Sequence, residues 1–305
     1  MVIVSSSTVA EECFTKNDIV LANRPETSRG KHLGYNNTTI LHLSYGDHWR
    51  NLRRIGAIEI FSSSRMNAFT SVRKDEVRRL IMKLSRDSRQ GHFVKVELKS
   101  MIHDLTLNNI MRMAAGKRYC GDEVSNEEEA REFKELMAEI FETSGRPTPA
   151  DFFPVLKLLG EVLEKKDKKR GKRLDGFMQK LIDEHRSYKI QGIHNNSMID
   201  HLLSLQESEP HLYTDQIIKG FIFKEQSHKL MSFGMGRRAC PGASLAQRLM
   251  GLTLGSLIQC FDWERVDGKE INMMEGIGLT MPKAQPLEAL CKPRPIVDKA
   301  FYQGN

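Results

Sequence analysis

Phe233 to Leu252 reads FGMGRRACPGASLAQRLMGL, and the fold turns on this stretch. A cysteine whose sulfur approaches a metal or a flat ligand needs backbone without side-chain obstruction, and Gly234, Gly236 and Gly242 provide it around Cys240. Pro241 suits the first position of a following helix, where its missing N–H is no loss and its φ is already helical. A long apolar helix is therefore expected from Pro241 to Phe261. The Cys240 sulfur then lies near its N-terminus, where free N–H groups and the helix dipole favour a thiolate. Arg238, two residues before the cysteine, is placed to pair with an anionic group of the same ligand, and Phe233 to cover one face of it. A buried structural thiol is the commoner setting for an isolated cysteine. The residues flanking Cys240 argue against it here.

The rest of the chain sets the bounds. It has 305 residues, 40% of them hydrophobic and 28% charged, a globular composition that excludes collagen and a disordered chain. The net charge of +7 is spread along the chain, so no basic tail for nucleic acid is expected. Five cysteines at wide spacing, without C-x-x-C, argue against a disulfide framework or a zinc site and for a reducing compartment. No apolar run reaches the roughly 18 to 20 residues that span a bilayer, and Met1 to Ala10 lacks the basic start of a signal peptide. The chain as written is expected to be soluble.

VIVS at the start reads as a short strand, and SSTVAEECF as a capped helix start. Asn23 to Thr39, rich in Gly, Pro, Asn and Thr, reads as loop. Apolar residues at three- and four-residue spacing predict helices over 64–89, 98–116, 126–144, 172–189 and 197–206, and Thr214 caps another that begins DQIIKGFIF. That helix stops without Gly or Pro, and 221–230 reads as an abnormal junction. Beyond the apolar helix, 262–305 reads as short strands and turns. The basic run EKKDKKRGKR, Glu164 to Arg173, reads as a solvated turn and helix start, because no aromatic residues interleave its charges.

The loop F-G-x-G-x-R-x-C-x-G resembles the haem-binding signature of the cytochrome P450 family at every fixed position, a match whose chance occurrence is on the order of 10⁻⁵. Thiolate ligation of haem iron is the family's hallmark. The resemblance implies Cys240 as metal ligand, with Phe233, Gly234, Gly236, Arg238 and Gly242 shaping the cofactor site. It also gives meaning to GDHWRNLRR, Gly46 to Arg54, where Trp49 and Arg53 stand four apart on one helix face and, by resemblance, contact a haem propionate. The stretches EECFTKNDIVLANRP, GKRYCGDE and GLTMPKAQPL are similar to plant microsomal members that hydroxylate isoflavonoids. The implied fold is mainly α with a small β region, a truncated cytochrome P450-like fold. The implied activity is NADPH- and O2-dependent hydroxylation of a small hydrophobic plant aromatic. Haem b would be the cofactor, NADPH–cytochrome P450 reductase the partner, and the cytosolic face of the endoplasmic reticulum the location. The face behind the Cys240 loop, with Arg237 and Arg248, is where the resemblance would seat the reductase.

Three departures from the family pattern bear on activity. The family pattern opens with a membrane anchor and a Pro-rich hinge, whereas this sequence reads from inside the first sheet, so a cytosolic chain is the alternative expectation for location. The oxygen-binding helix should carry A/G-G-x-D/E-T-T/S. EIFETSG, Glu139 to Gly145, imitates its end too early and is a decoy. The E-x-x-R helix should lie between the oxygen-binding helix and the Cys240 loop. Glu76 with Arg79 and Glu128 with Arg131 match by count but come too soon, and read as surface i, i+3 pairs. The chain thus reads as 1–223, the first part of the fold up to the start of the oxygen-binding helix; 224–230, a deletion junction; and 231–305, the haem-ligand loop, its helix and C-terminal strands. A catalytically inactive remnant is the alternative to an active enzyme.

Overall fold

The computed structural model describes residues 3–88, 92–124, 126–143, 157–193, 196–222, 233–268, 270–276 and 283–297. The chain divides into two compact units, one of Met1–Ser62, Glu132–Ala243 and Gly278–Thr280, the other of Ser63–Arg131, Ser244–Ile277 and Met281–Asn305. Most of the junction read at 221–230 lies outside the described residues, as do Pro147, Pro149, Pro154 and Pro282.

The first unit holds α1 (Ser7–Phe14), α2 (Asp18–Leu21), α3 (Ser28–Leu33) and α4 (Asp47–Ile55), the last running into a π-helical turn, Gly56–Ile60. Its spine is the 34-residue α9, Lys157–Ile190, numbered after α5–α8 given below. The basic run lies within this helix and forms no turn. At Gly171 a Cβ would stand 2.3 Å from the carbonyl oxygen of His32, so α3 can approach only over a glycine. Lys165, Lys166, Lys168 and Lys169 are exposed as expected, whereas Asp167 is buried and pairs with Arg170 at 3.1 Å. Helix α3 itself corrects the loop expected over Asn23–Thr39. Its cap is Thr27, whose Oγ1 accepts from Gly30 N at 3.0 Å. The strand expected at VIVS is absent, since Ile3 to Ser5 pair with no strand. Helix α10 (Met198–Ser208) starts on a reciprocal cap in which Ser197 and Asp200 satisfy each other's backbone N–H. Helix α11 (Asp215–Ile222) is tied to α9 by Lys219–Asp175 at 2.6 Å and by Asp215–Arg186 at 2.6 Å.

The second unit holds α5 (Ser63–Ala68), α6 (Thr70–Asp87), β1 (Val94–Glu97), α7 (Leu98–Ala115), most of α12 (Ala243–Cys260), β2 (Phe261–Glu264) and β3 (Glu288–Pro293). Helix α8 (Glu127–Thr143) begins here and continues into the first unit. The strands form one antiparallel sheet in the order β1-β3-β2, with Val94 opposite Cys291 and Phe261 opposite Pro293. Val77, Ile81, Leu84, Val96, Leu105, Leu257 and Phe261 make its core, and each such side chain contributes about 1.5–3 kcal/mol. Helix α7 is capped by Glu97, which accepts from Lys99 N at 2.7 Å, and ends at Gly116 with φ 68°.

One expectation fails instructively. Glu76 forms no surface pair with Arg79. It is 2% exposed and accepts from Arg112 Nη1 at 2.7 Å and Arg118 Nε at 2.9 Å, while Arg79 bonds to Asp75 at 3.0 Å. Glu128 and Arg131 do form an exposed pair, at 3.9 Å. Among the described residues, no helix is long and apolar enough to cross a membrane.

Candidate functional site

The Cys240 loop is bent by two left-handed glycines, Gly234 at φ 66° and Gly236 at φ 62°, conformations that side chains resist. At Gly236 a Cβ would also fall 1.9 Å from the carbonyl oxygen of Phe14, so α1 lies directly against the loop. A 3-10 turn, Gly236–Arg238, follows, and Cys240 N closes the loop by donating to Phe233 O at 2.7 Å. Cys240 and Phe233 are half-buried, and Cys240 forms no disulfide. The helix after it starts later than expected. It begins at Ala243, with Pro241 and Gly242 in a turn, and Ala243 N donates to Cys240 O at 3.3 Å. Gly242, between the proline and the helix, resists helical conformation and delays the start to Ala243.

Trp49 and Arg53, read as a pair on one face of α4, meet Arg238 from the loop. Trp49 is 4% exposed, and its Nε1 donates to Ile40 O at 3.2 Å. The Arg238 guanidinium stands 4.4 Å from the Trp49 ring centroid and that of Arg53 5.6 Å from it. Arg53 Nη1 donates to Ala239 O at 2.7 Å, next to the cysteine. Arg238 reaches the other way, donating through Nε to Ala22 O and through Nη2 to Leu43 O, both at 2.7 Å. Those carbonyls belong to two segments joined by Tyr45 N donating to Asn23 Oδ1 at 3.0 Å. Arg237 is exposed and pairs with Asp18 at 3.2 Å. Arg248, in the second unit, donates to Asn67 Oδ1 at 2.8 Å.

The electrostatics of this cluster are one-sided. Burial, with repulsion from Arg24 and Arg53, brings the Arg238 guanidinium down to about 10. Burial also lowers Arg53, opposed by the attraction of Cys240. His42, bonded to Thr39 Oγ1 at 2.9 Å, falls to about 4 through burial and the charges of Arg24 and Arg29, and is neutral at pH 7. Among the described residues, no carboxylate lies within 4.0 Å of Arg24, Arg53 or Arg238. Two of these cations, Arg53 and Arg238, are held on carbonyl oxygens, and cations without a counter-charge lower their energy when an anion arrives. That arrangement, beside a thiol on a glycine-bent loop, fits a cofactor carrying a metal and carboxylates. Arg24 escaped the sequence reading because a lone Arg in a loop carries no spacing signal.

Cavities also lie elsewhere among the described residues. One of about 240 Å³ in the first unit is lined by Thr39, His48, Leu52, His211, Thr214 and Phe221. One of about 350 Å³ in the second unit is lined by Glu76, Leu80, Met101, Leu105, Arg118 and Cys120.

Comparison with known proteins adds the lineage. The family model described as Cytochrome P450 matches residues 1–224 and 219–287, in two stretches that meet at the junction read from sequence. Cytochrome P450 81Q32 of Catharanthus roseus is 40% identical over 429 positions, covering 100% of this chain and 85% of that protein. Isoflavone 2'-hydroxylase of Glycyrrhiza echinata is 35% identical and isoflavone 3'-hydroxylase of Medicago truncatula 36%, covering 99% and 98% of this chain and 85% of each relative. An alignment of 429 positions to a chain of 305 residues leaves at least 124 positions with no residue here. Among solved structures, a zebrafish cytochrome P450 with progesterone superposes with a TM-score of 0.68 at 14% identity, over 96% of this chain and 93% of that one. At that identity the likeness speaks for the fold alone.

Proposed function

Because the chain belongs to the cytochrome P450 family, whose members are haem-dependent monooxygenases, we propose that it is a plant hydroxylase lineage member retaining the cofactor-holding part of the site and lacking the oxygen-activating part. The observation that carries this is the pair Arg53 and Arg238 over Trp49, without a carboxylate within 4.0 Å among the described residues, beside Cys240.

When bound, haem b supplies the redox chemistry of the family, the reduction of O2 with insertion of one oxygen atom into substrate. The residues present divide the work of holding it. Cys240 would offer its sulfur as the metal ligand, on a loop bent by Gly234 and Gly236 and followed by Gly242. Trp49, Arg53 and Arg238 take the carboxylates, and Phe233 covers one face. Electrons come from NADPH through NADPH–cytochrome P450 reductase, at the cytosolic face of the endoplasmic reticulum. The substrate class is a small plant aromatic of isoflavonoid type, a reading supported by the names of the relatives.

No A/G-G-x-D/E-T-T/S occurs anywhere in the 305 residues. The residues that would position a proton and wall off water are therefore wanting. Loss of one positioned acid typically lowers a rate by about 10²–10⁴, and water entry adds to the loss. The second reading, an inactive remnant, is favoured by the same absence and by the 124 uncovered alignment positions.

Two measurements test the proposal. The purified chain with added haem should give a reduced, CO-bound spectrum of thiolate type, lost in Cys240→Ser. An unchanged thiolate-type band in Cys240→Ser overturns the ligand assignment. The chain should form no hydroxylated product beside a chimera carrying a relative's intervening segment between Phe223 and His228. Product at a rate near the chimera's overturns the reading of a missing oxygen site.

A further inference from the structure

Arg237 and Arg238 are adjacent and chemically alike, yet they leave the Cys240 loop in opposite directions. Arg238 turns inward, 4.4 Å from the Trp49 ring centroid, donating to Ala22 O and Leu43 O. Arg237 turns outward onto Asp18, the first residue of α2. Asp18 Oδ1 accepts from Arg237 Nε at 3.2 Å, and Asp18 Oδ2 accepts from Arg237 N at 3.3 Å. The same Oδ2 stands 3.4 Å from where a Cβ of Gly236 would be, so the carboxylate lies flush on the left-handed glycine. Tyr45 holds the far end. Arg237 Nη1 donates to Tyr45 Oη at 3.0 Å, the guanidinium stands 5.2 Å from the Tyr45 ring centroid, and that ring lies 5.5 Å from Trp49.

We propose that Asp18 is a positioning residue of the cofactor site, a role that rests on the reading of the Cys240 loop given above. By gripping both the backbone and the side chain of Arg237, Asp18 fixes the register of the Gly236–Arg238 turn. Charge explains the sorting of the two arginines. A carboxylate binds a guanidinium more strongly than carbonyl oxygens do, and Asp18 pairs with the outer one, which leaves Arg238 as the cation that faces Trp49 and Arg53. The same turn leads directly into Ala239, whose carbonyl accepts from Arg53, and into Cys240, whose N–H closes the loop on Phe233 O. Asp18 touches neither Cys240 nor its neighbour Ala239 and acts on them through Arg237. Placement, not folding stability, is what it supplies. The side chains of Arg237 and Asp18 are 42% and 20% exposed, and ion pairs open to water add little to folding. Residues that stand behind a metal ligand, by contrast, typically change metal affinity by about 10- to 100-fold.

Two measurements on the full chain test this, with Asp18→Ala and Asp18→Asn beside wild type. The first needs no cofactor. Amide hydrogen exchange, read by mass spectrometry in a peptide spanning Phe233 to Cys240, should speed up by about 10-fold in Asp18→Ala, while α9 exchanges as in wild type and the melting curve is unchanged. Asp18→Asn keeps one acceptor oxygen for Arg237 and should fall between the two. The second is titration with haem, in which the dissociation constant should rise by about 10-fold in Asp18→Ala while the reduced, CO-bound band stays of thiolate type, because Cys240 is intact. Loop exchange equal to wild type overturns the proposal, as does a loss of protection that spreads to α9 with a lowered melting curve. Unchanged haem affinity with a loosened loop overturns it too. A wild type that binds no haem, while the Asp18→Ala loop still exchanges faster, fails the cofactor reading and upholds the hold of Asp18 on the loop.

Discussion

Replacing Glu76 with Gln separates a buried ionic centre from its sequence look-alike. Glu76 accepts from Arg112, Arg118 and, at 3.4 Å, Asn108 Nδ2, at 2% exposure. Glu128, first residue of the other E-x-x-R match, is 88% exposed beside Arg131. Glutamine keeps the shape of Glu76 but removes its charge and turns one acceptor into a donor facing guanidinium groups. Breaking a buried pair by removing one partner costs about 3–5 kcal/mol. Arg112 keeps Asp75 and Arg118 keeps Asp122 O at 2.7 Å, and their side chains are 22% and 13% exposed. The expected loss is therefore at the low end, about 3 kcal/mol. Glu128→Gln should change stability by no more than about 0.5 kcal/mol. Urea unfolding followed by circular dichroism, with midpoints compared at equal slope, measures both. A Glu76→Gln loss within about 0.5 kcal/mol of the Glu128→Gln value would refute the reasoning.

The acid limb of stability offers a second check. Hydrogen bonds from Arg186, reinforced by Gln206 and Gln179 and opposed by burial, hold Asp215 at about 2 against an ordinary 3.8. Its contribution is therefore complete above about pH 4 and fades as pH falls toward 2, so Asp215→Asn should flatten the decline between those values in a pH series of melting curves. An unchanged acid limb counts against the Arg186–Asp215 tie. Changing Lys165, Lys166, Lys168 and Lys169 together to Gln should shift stability by no more than about 0.5 kcal/mol per site, because these are exposed positions on α9. A collapse of the melting curve would mean that they are buried or paired.

Helix periodicity located α7, α8, α10 and α11 to within a few residues, because apolar spacing is a local property of the chain, whereas the helix expected over 64–89 is two, α5 and α6, and that over 172–189 is only the later part of α9. Signals that depend on a distant partner misled. Asn23–Thr39 has the composition of a loop yet contains α3, stabilised by its packing on α9. The basic run Glu164 to Arg173 reads as a solvated turn yet lies within α9, where Gly171 lets His32 come close. Pro241 looks like the first residue of a helix that starts at Ala243.

The residues proposed to hold the cofactor around Cys240 are consecutive, so the sequence alone groups Cys240, its glycines and Arg238. The interruption near residue 222 was equally legible, since a missing motif is a property of the string. Tertiary structure decided what lies around them. It brought Arg53, more than 180 residues away, onto Ala239 O, set two guanidinium groups over Trp49, and placed Arg24 close enough to repel Arg238. It also decided that Glu76 is buried while Glu128 is not, although the two share one spacing pattern. The physical reason is that spacing along a helix fixes which side chains share a face, whereas burial and charge partners depend on which other segment covers that face.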